Sequence, residues 1–472
     1  MKSTKIGIDI QRAIAQIYKR YPVVKDIVQE IYAHGGMALL IGGAVRDIIL
    51  DLPTKDIDIE VHHMPLDALE ALLGRFGQVD LVGKKFGVLR VQGLDIDWSL
   101  PRADSAGRKP EVRIDPMMSI KDAFARRDLT MNALGIDLIT HELHDPFDGI
   151  TAIKEKVLRT PDPRFFGDDP LRLFRVMQFI SRFDMKPDET LNELCRKMDI
   201  GDVSRERIEL EFHKLLLRSK YPSLGIRWLK DIGRLEEIFP ELGDTIGVAQ
   251  DPSWHPEGDV FEHSMQALDA AAQIPIENEF KRLVLLYAAL CHDLGKADTS
   301  ATREDGRITA YGHAESGIPK TQAFMKRITH NQALIMAVKK MVGYHMIPYQ
   351  LVLQKSTPAA YKRLAQKLAP NVTMRQLADL VLADRRGTNN QGSIPLKIEP
   401  EEVAQFIKKT QELDVLDQKE APILLGRDLA NEVEPGPRMG QLVHKAYEIQ
   451  IEEGIRDKEQ LKQRVLNPKD KN

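Results

Sequence analysis

The sequence predicts an α+β chain: a small mixed sheet backed by helices in the N-terminal third, followed by a body that is almost all helix. Short β-type runs alternate with helical stretches from Ala38 to about Ile150, apolar residues recur at helical spacing beyond that point, and Pro-bearing breaks divide the helical part. With 472 residues, 43% of them hydrophobic and 29% charged, the chain can bury several cores. Only Cys195 and Cys291 are present, far apart, which supports neither a disulfide framework nor a cysteine-built zinc site and fits a reducing cytoplasm. The formal net charge of −3 gives no global field to draw in RNA, so any nucleic-acid contact must come from local clusters of Arg and Lys.

The first residues, MKSTKIGIDIQRAIAQIYKRY, carry charge in every turn and no continuous apolar run; an amphipathic helix is expected, not a signal peptide or membrane anchor. MALLIGG, DIDIEV, VLRVQG and LDIDWSL then read as strands, separated by AVRDIIL and PLDALEALLGRF as helices. These strands are too few and too closely spaced for a doubly wound domain. After Gly149, LRLFRVMQFISRF, ETLNELCRKM and RIELEFHKLLLRS read as helices, and breaks at TPDPRFF, AQDPSWHPEGD and GSIPLKIEPEE suggest boundaries near residues 160, 250 and 395.

Chemistry enters at LLIGGAVRDIILDLPTKDIDIE. Gly42 and Gly43 let backbone approach a phosphate, and the helix that follows, bearing Arg46 and Asp47, offers unpaired N–H groups at its start. An isolated Gly-Gly pair is more often an ordinary strand-to-helix turn. Asp56 and Asp58, two apart in a β-type run, put both carboxylates on one side with Ile57 and Ile59 toward the core, and Mg²⁺ is the natural partner for such oxygens. Asp95 and Asp97 share a face in LDIDWSLPR, and either can complete a two-metal site. Asp169, Arg172 and Arg175 recur at three-residue spacing in FGDDPLRLFRVMQF, along one helix face, where an Asp–Arg pair can accept from the amino group and donate to the ring nitrogen of cytosine or adenine. An intrahelical ion pair is the simpler alternative.

LIGGAVRD followed by KDIDIE, then FARRDLTMNALG and FGDDPLRLFR, resemble the successive motifs of the class II tRNA nucleotidyltransferase and bacterial poly(A) polymerase family over roughly residues 35 to 240. The resemblance implies that Asp56 and Asp58 bind the metals with Asp97 as third carboxylate, that Gly43, Arg46 and Arg127 meet the triphosphate, and that Asp169 and Arg172 read the base. Residues 103–121 fit the flexible loop this family carries. Asp168 stands where the family usually has Glu, and Gln178 where many members have a further Arg.

In the helical body, His263, His292, Asp293 and Asp384 resemble the H…HD…D pattern of the HD phosphohydrolase superfamily, with His313 and His345 where some members bind a second metal. That resemblance implies a divalent ion of unspecified identity and phosphatase or cyclic phosphodiesterase activity. GRDL and PGPRMG in the last eighty residues again resemble the end of tRNA nucleotidyltransferases. The expected organisation is an N-terminal helix (1–34), a nucleotidyltransferase head (35–150), a helical neck with base recognition (151–250), an HD domain (251–390) and a helical tail (391–472). The expected activity is addition of C and A to a tRNA 3′ end from CTP and ATP. A CC-only or A-only adder, a poly(A) polymerase, or an HD phosphohydrolase whose head only grips RNA are the alternatives.

Overall fold

In the computed structural model, residues 9–54, 56–81, 87–104, 112–390 and 394–467 are described. Backbone contacts divide the chain into two compact units, Met1–Ser204 and Arg205–Asn472. The division falls inside the segment expected as a single neck, because the helix Arg205–Arg218 packs on Glu279–Cys291 and His313–Ile328 of the second unit.

The first unit opens with two helices where one was expected: α1 (Ile10–Arg20) and α2 (Pro22–Ala33) are separated at Tyr21 because Pro22 cannot continue a helical ladder and instead starts a new one. The sheet strands and intervening helices are β1 (Met37–Ile41), α3 (Gly43–Ile49), β2 (Ile57–His62), α4 (Leu66–Leu73), β3 (Val79–Leu81), β4 (Val88–Val91) and β5 (Ile96–Ser99). A short hairpin, β6 (Arg102–Asp104) with β7 (Val112–Ile114), follows, then α5 (Ile120–Ala125), β8 (Gly135–Asp137) and β9 (Leu143–His144). The expected flexible loop within 103–121 falls partly on residues 105–111, outside those described. Seven strands form one mixed sheet in the order β3-β4-β5-β2-β1-β8-β9, in which only β2 and β5 pair in parallel. Alternation sets the faces: Ile57, Ile59, Ile96 and Trp98 are buried, while Asp58 and Asp97 point to the other side. Helices α6 (Gly149–Glu155), α7 (Pro163–Phe166) and α8 (Leu171–Phe183) come next; α8 buries Leu173, Phe174, Val176 and Met177.

Among the described residues, the second unit is helical apart from a two-residue ladder at Ala301–Thr302 and Ile308–Thr309. Its core stacks Phe212 on Tyr287 and sets Phe239 and Phe324 edge-on. Val260–Ala272 lies against Met374–Arg386 so closely that a Cβ on Gly387 would come 2.6 Å from the Ala267 nitrogen. Leu424, Leu429, Ala446, Leu461 and Val465 form a separate small core near the C-terminal end.

Candidate functional site

In the first unit, the parallel register of β2 and β5 sets Asp58 directly opposite Asp97, with Asp56 one residue ahead of β2 and Asp95 one residue ahead of β5. Adjacent strands lie about 4.8 Å apart, so the two paired carboxylates share one small volume. Burial, then the charge of Asp97, pushes the Asp58 carboxyl above its ordinary value, with Asp56 adding to the effect and Arg127 and Arg90 opposing it. Arg90 holds Asp97 from the neighbouring strand, its Nε and NH2 donating to Oδ1 at 2.8 and 2.6 Å. Clustered carboxylates with a raised Asp58 suit a hard divalent cation, which would relieve that repulsion.

These acids border a cleft of about 330 Å³ whose lining includes Glu60, Arg102, Arg126, Arg127 and Arg172. Arg127 sits against the glycine turn. Gly42 has φ +67°, and a Cβ there would come 2.9 Å from Arg127 NH1, so the absent side chain admits a guanidinium, whereas the sequence suggested bare backbone facing a phosphate. The Gly42 N–H donates to Leu134 O at 3.0 Å, and Gly43 begins α3. Arg127 NH1 lies 3.5 Å from Asn132 O and NH2 3.7 Å from Glu60; its Nε is buried without a hydrogen-bond partner among the described residues. Burial would raise the Glu60 carboxyl, but His62 and Arg127 outweigh it and hold it low.

Arg46, expected at the triphosphate, is 5% exposed. Its Nε and NH2 donate to Asp47, its NH1 to Asn132 Oδ1 at 2.7 Å, and its guanidinium lies over Phe179 and Phe183. It therefore ties α3 to α8 and braces the turn from behind. The expected face of three side chains is also rearranged. Pro170 caps α8, which leaves Asp169 outside the helix, where its Oδ1 accepts from the Leu171 N–H at 3.1 Å. Arg172 donates to the carbonyls of Phe165 and Arg126, both at 2.5 Å, and burial lowers its pKa. Arg175 grips Asp128 at 2.6 Å. Gln178, where the resemblance implies a further Arg, is buried in α8.

The second unit brings all six expected ligands together. His263 projects from Val260–Ala272 and Asp384 from Met374–Arg386; His292 and His345 sit at helix C-termini, Asp293 follows His292, and His313 opens the helix His313–Ile328. His263 Nε2 lies 3.1 Å from His292 Nε2 and 3.0 Å from Asp384 Oδ1. His313 Nε2 lies 3.1 Å from His345 Nε2 and 3.4 Å from Asp293 Oδ1, while Asp293 Oδ2 lies 3.2 Å from His292 Nε2. Asp293 thus joins two donor groups, His263–His292–Asp384 and Asp293–His313–His345.

The ring orientations have a local cause. Nδ1 of His292, His313 and His345 each bonds the carbonyl three residues earlier, Ala289, Ala310 and Val342, at 2.7–2.9 Å, and His263 Nδ1 bonds Glu257 at 2.7 Å. With Nδ1–H donating to a carbonyl, Nε2 of His292, His313 and His345 is left as a lone pair aimed inward, the arrangement of metal-ligating histidines. Imidazole nitrogens converging this closely call for a cation between them. Burial and the neighbouring His292 and His313 push His345 down to about 3, so it stays neutral. Burial would lower His263, but Asp384 and Glu257 outweigh it and raise it to about 9. Gly295 makes the approach feasible, since a Cβ there would come 2.0 Å from His313 O. Lys296 Nζ reaches Asp293 Oδ2 and Gln250 Oε1, each at 2.7 Å, beside a cleft of about 460 Å³ that His255, Trp254 and Tyr311 also line.

Residues 38–159 match the Poly A polymerase head domain family and residues 260–384 the HD domain family. The multifunctional CCA protein of Pasteurella multocida (strain Pm70) is 32% identical over 318 residues, 65% of this chain and 73% of that protein. The chain belongs to the multifunctional CCA protein family. The family's member from Chromobacterium violaceum (strain ATCC 12472) is 32% identical over 357 residues, covering 74% of this chain and 84% of its own length. The solved Thermotoga maritima CCA-adding enzyme complexed with tRNA_CCA has the same fold, with a TM-score of 0.61, 18% identity and 98% of each chain covered. Among the described residues, no helix is long and apolar enough to cross a membrane.

For this member of the multifunctional CCA proteins, sequence reasoning missed Glu60, His255, Glu257 and Lys296. Glu60 was findable, being the next residue on the Asp56–Asp58 face of the strand. His255 and Glu257 lie in a Pro-containing break with no periodic pattern to orient them.

Proposed function

We propose that the chain is a tRNA nucleotidyltransferase that adds C and A to an RNA 3′ end from CTP and ATP, releasing pyrophosphate. The observation that carries this reading is the β2–β5 register, which pairs Asp58 with Asp97 at the edge of an arginine-lined cleft. Asp56, Asp58 and Asp97 would hold two Mg²⁺ ions, which when bound acidify the RNA 3′ hydroxyl and neutralise the leaving pyrophosphate. Arg127 takes the triphosphate in the space Gly42 leaves open, and Arg46 and Gly43 keep that turn in place. Arg172, its plane set by two carbonyls, keeps other N–H groups to donate to a ring nitrogen, while Asp169 accepts from the exocyclic amine of C or A. Uracil and guanine offer the opposite order, leaving unpaired groups at about 1–3 kcal/mol each. Arg175 serves this pair by anchoring Asp128.

In this reading residues 35–150 are the head, 151–250 the neck, 251–390 the HD domain and 391–472 the tail, and two buried cysteines held as thiols, outside any disulfide, fit a cytoplasmic protein. Pure protein given tRNA without its CCA end is expected to incorporate CTP and ATP and refuse UTP and GTP. Incorporation of UTP, or normal extension by Asp58→Ala, would overturn the proposal.

A second activity, hydrolysis of a phosphoester, is favoured by the two joined donor groups around Asp293. His263, His292, Asp293, Asp384, His313 and His345 would hold divalent ions, which when bound supply an activated water. Loss of phosphodiesterase signal in a His292→Ala, Asp293→Ala protein with unchanged nucleotide addition supports this; wild-type protein that hydrolyses no phosphoester with any of Mg²⁺, Mn²⁺, Ni²⁺ or Co²⁺ ends it.

A further inference from the structure

Strand β2 carries a second acid, which the proposed chemistry leaves unused. Glu60 is 8% exposed, lies two residues beyond Asp58 and opens onto the same cleft. His62 Nε2 donates to its Oε1 at 3.0 Å; His62 is fully buried, and its Nδ1 lies 3.3 Å from the Met118 carbonyl oxygen. The other oxygen, Oε2, faces Arg127 NH2 at 3.7 Å. Arg127 has its remaining support from Asn132 O and the Phe124 ring, in the space Gly42 leaves open.

A cleft that takes a triphosphate gains nothing from a buried carboxylate acting directly on it, because the two repel. The carboxylate has a use if its target is the arginine. We propose that Glu60 is a positioning residue: backed by His62, it holds the Arg127 guanidinium against the Gly42 turn so that the free edge of the guanidinium meets the incoming nucleotide's phosphates. This rests on the nucleotidyl-transfer reading of the cleft. An arginine already fixed loses less rotamer freedom when ligand arrives, and the gain appears in nucleotide affinity for CTP and ATP alike, not in the chemical step.

The two roles open to a carboxylate here predict opposite signs. Removing one that merely repels phosphate tightens nucleotide binding; removing one that steadies Arg127 weakens it. Equilibrium binding of CTP and of ATP to the full-length protein, with steady-state addition to tRNA lacking CCA, is compared for wild type, Glu60→Ala, Glu60→Gln, Arg127→Lys and the Glu60→Ala, Arg127→Lys double variant. Glu60→Ala is expected to weaken both nucleotides about three- to tenfold and raise KM with kcat held within about twofold. Glu60→Gln, which keeps an acceptor for Arg127, is expected to recover most of that loss, and in the Arg127→Lys background Glu60→Ala is expected to add less than about twofold. Nucleotide binding equal to or tighter than wild type in Glu60→Ala, or the full Glu60→Ala loss persisting in the Arg127→Lys background, overturns the proposal. Should Glu60→Ala not fold, Glu60→Gln decides: about twofold weaker binding supports it, and unchanged or tighter binding overturns it. Wild-type protein that binds neither nucleotide overturns the reading of the cleft itself, and the role of Glu60 with it.

Discussion

Replacing Asp128 by Asn tests whether one buried ion pair holds the arginine-bearing segment of the head to α8. Asp128 is 8% exposed; its Oδ2 receives Arg175 at 2.7 and 2.6 Å, and its Oδ1 accepts from the Leu129 N–H and Asn132 Nδ2. Burial alone would raise its carboxyl, yet Arg175, Asn132 and Arg172 outweigh that and lower it from 3.8 to about 2. That drop, at about 1.4 kcal/mol for each tenfold change in acidity, corresponds to about 2–3 kcal/mol of stability. A depressed folded-state pKa contributes in full above the unfolded value of 3.8 and is lost as pH falls through about 2. The deficit of Asp128→Asn relative to wild type is therefore flat from about pH 8 to 5 and closes below about 4. Trp98, fully buried in the sheet, reports unfolding of this unit in a full-length Trp228→Phe, Trp254→Phe background followed by fluorescence in urea. A deficit below about 0.5 kcal/mol at neutral pH, or one that widens on acidification, would refute the reasoning.

Gly295→Ala forces a Cβ to 2.0 Å from His313 O and 2.5 Å from Gly317 N, so the helix start bearing His313 must move; expected are a loss of about 1–3 kcal/mol and fewer bound metal ions per chain, read by elemental analysis, with nucleotide addition intact. Arg90→Ala frees the Asp97 oxygen that Arg90 now occupies, and the Mg²⁺ concentration for half-maximal addition is expected to fall by about 1.5- to 5-fold; a rise would mean that Arg90 orients Asp97 for the cation instead of competing with it. Gly42→Ala combines a φ of +67° with a clash at Arg127 NH1, and nucleotide KM is expected to rise about tenfold or more; an unchanged KM would show that Arg127 does not work from its position at the turn.

What the sequence disclosed depended on how local each feature is. Strand alternation was enough to put Asp58 and Ile59 on opposite faces, and an apolar run ending in His292–Asp293 marked a buried polar pair. Opposing Asp58 to Asp97 and not to Asp95 required the register of two strands that are parallel neighbours, which no pattern along either strand encodes. The position of Arg46 is set by Phe179 and Phe183, more than a hundred residues downstream, so the bracing contacts of a cation beside a glycine turn could not be read from the local sequence. Asp169 kept its spacing to Arg172 but lost the helix, because Pro170 caps it and the first helical residue is Leu171. The order of the six ligands in the second unit was readable; their convergence on Asp293 was not, since it needs Gly295 and Gly387 to let backbones nearly touch.

Three of the four imidazoles in that convergence take their aim from a carbonyl of their own chain a few atoms away. The socket is thus cast before anything is placed in it: its shape belongs to helix ends that exist with or without an occupant. Stripping and restoring ions is therefore expected to need no refolding, and Ala289, Ala310 and Val342 serve the socket through their carbonyls.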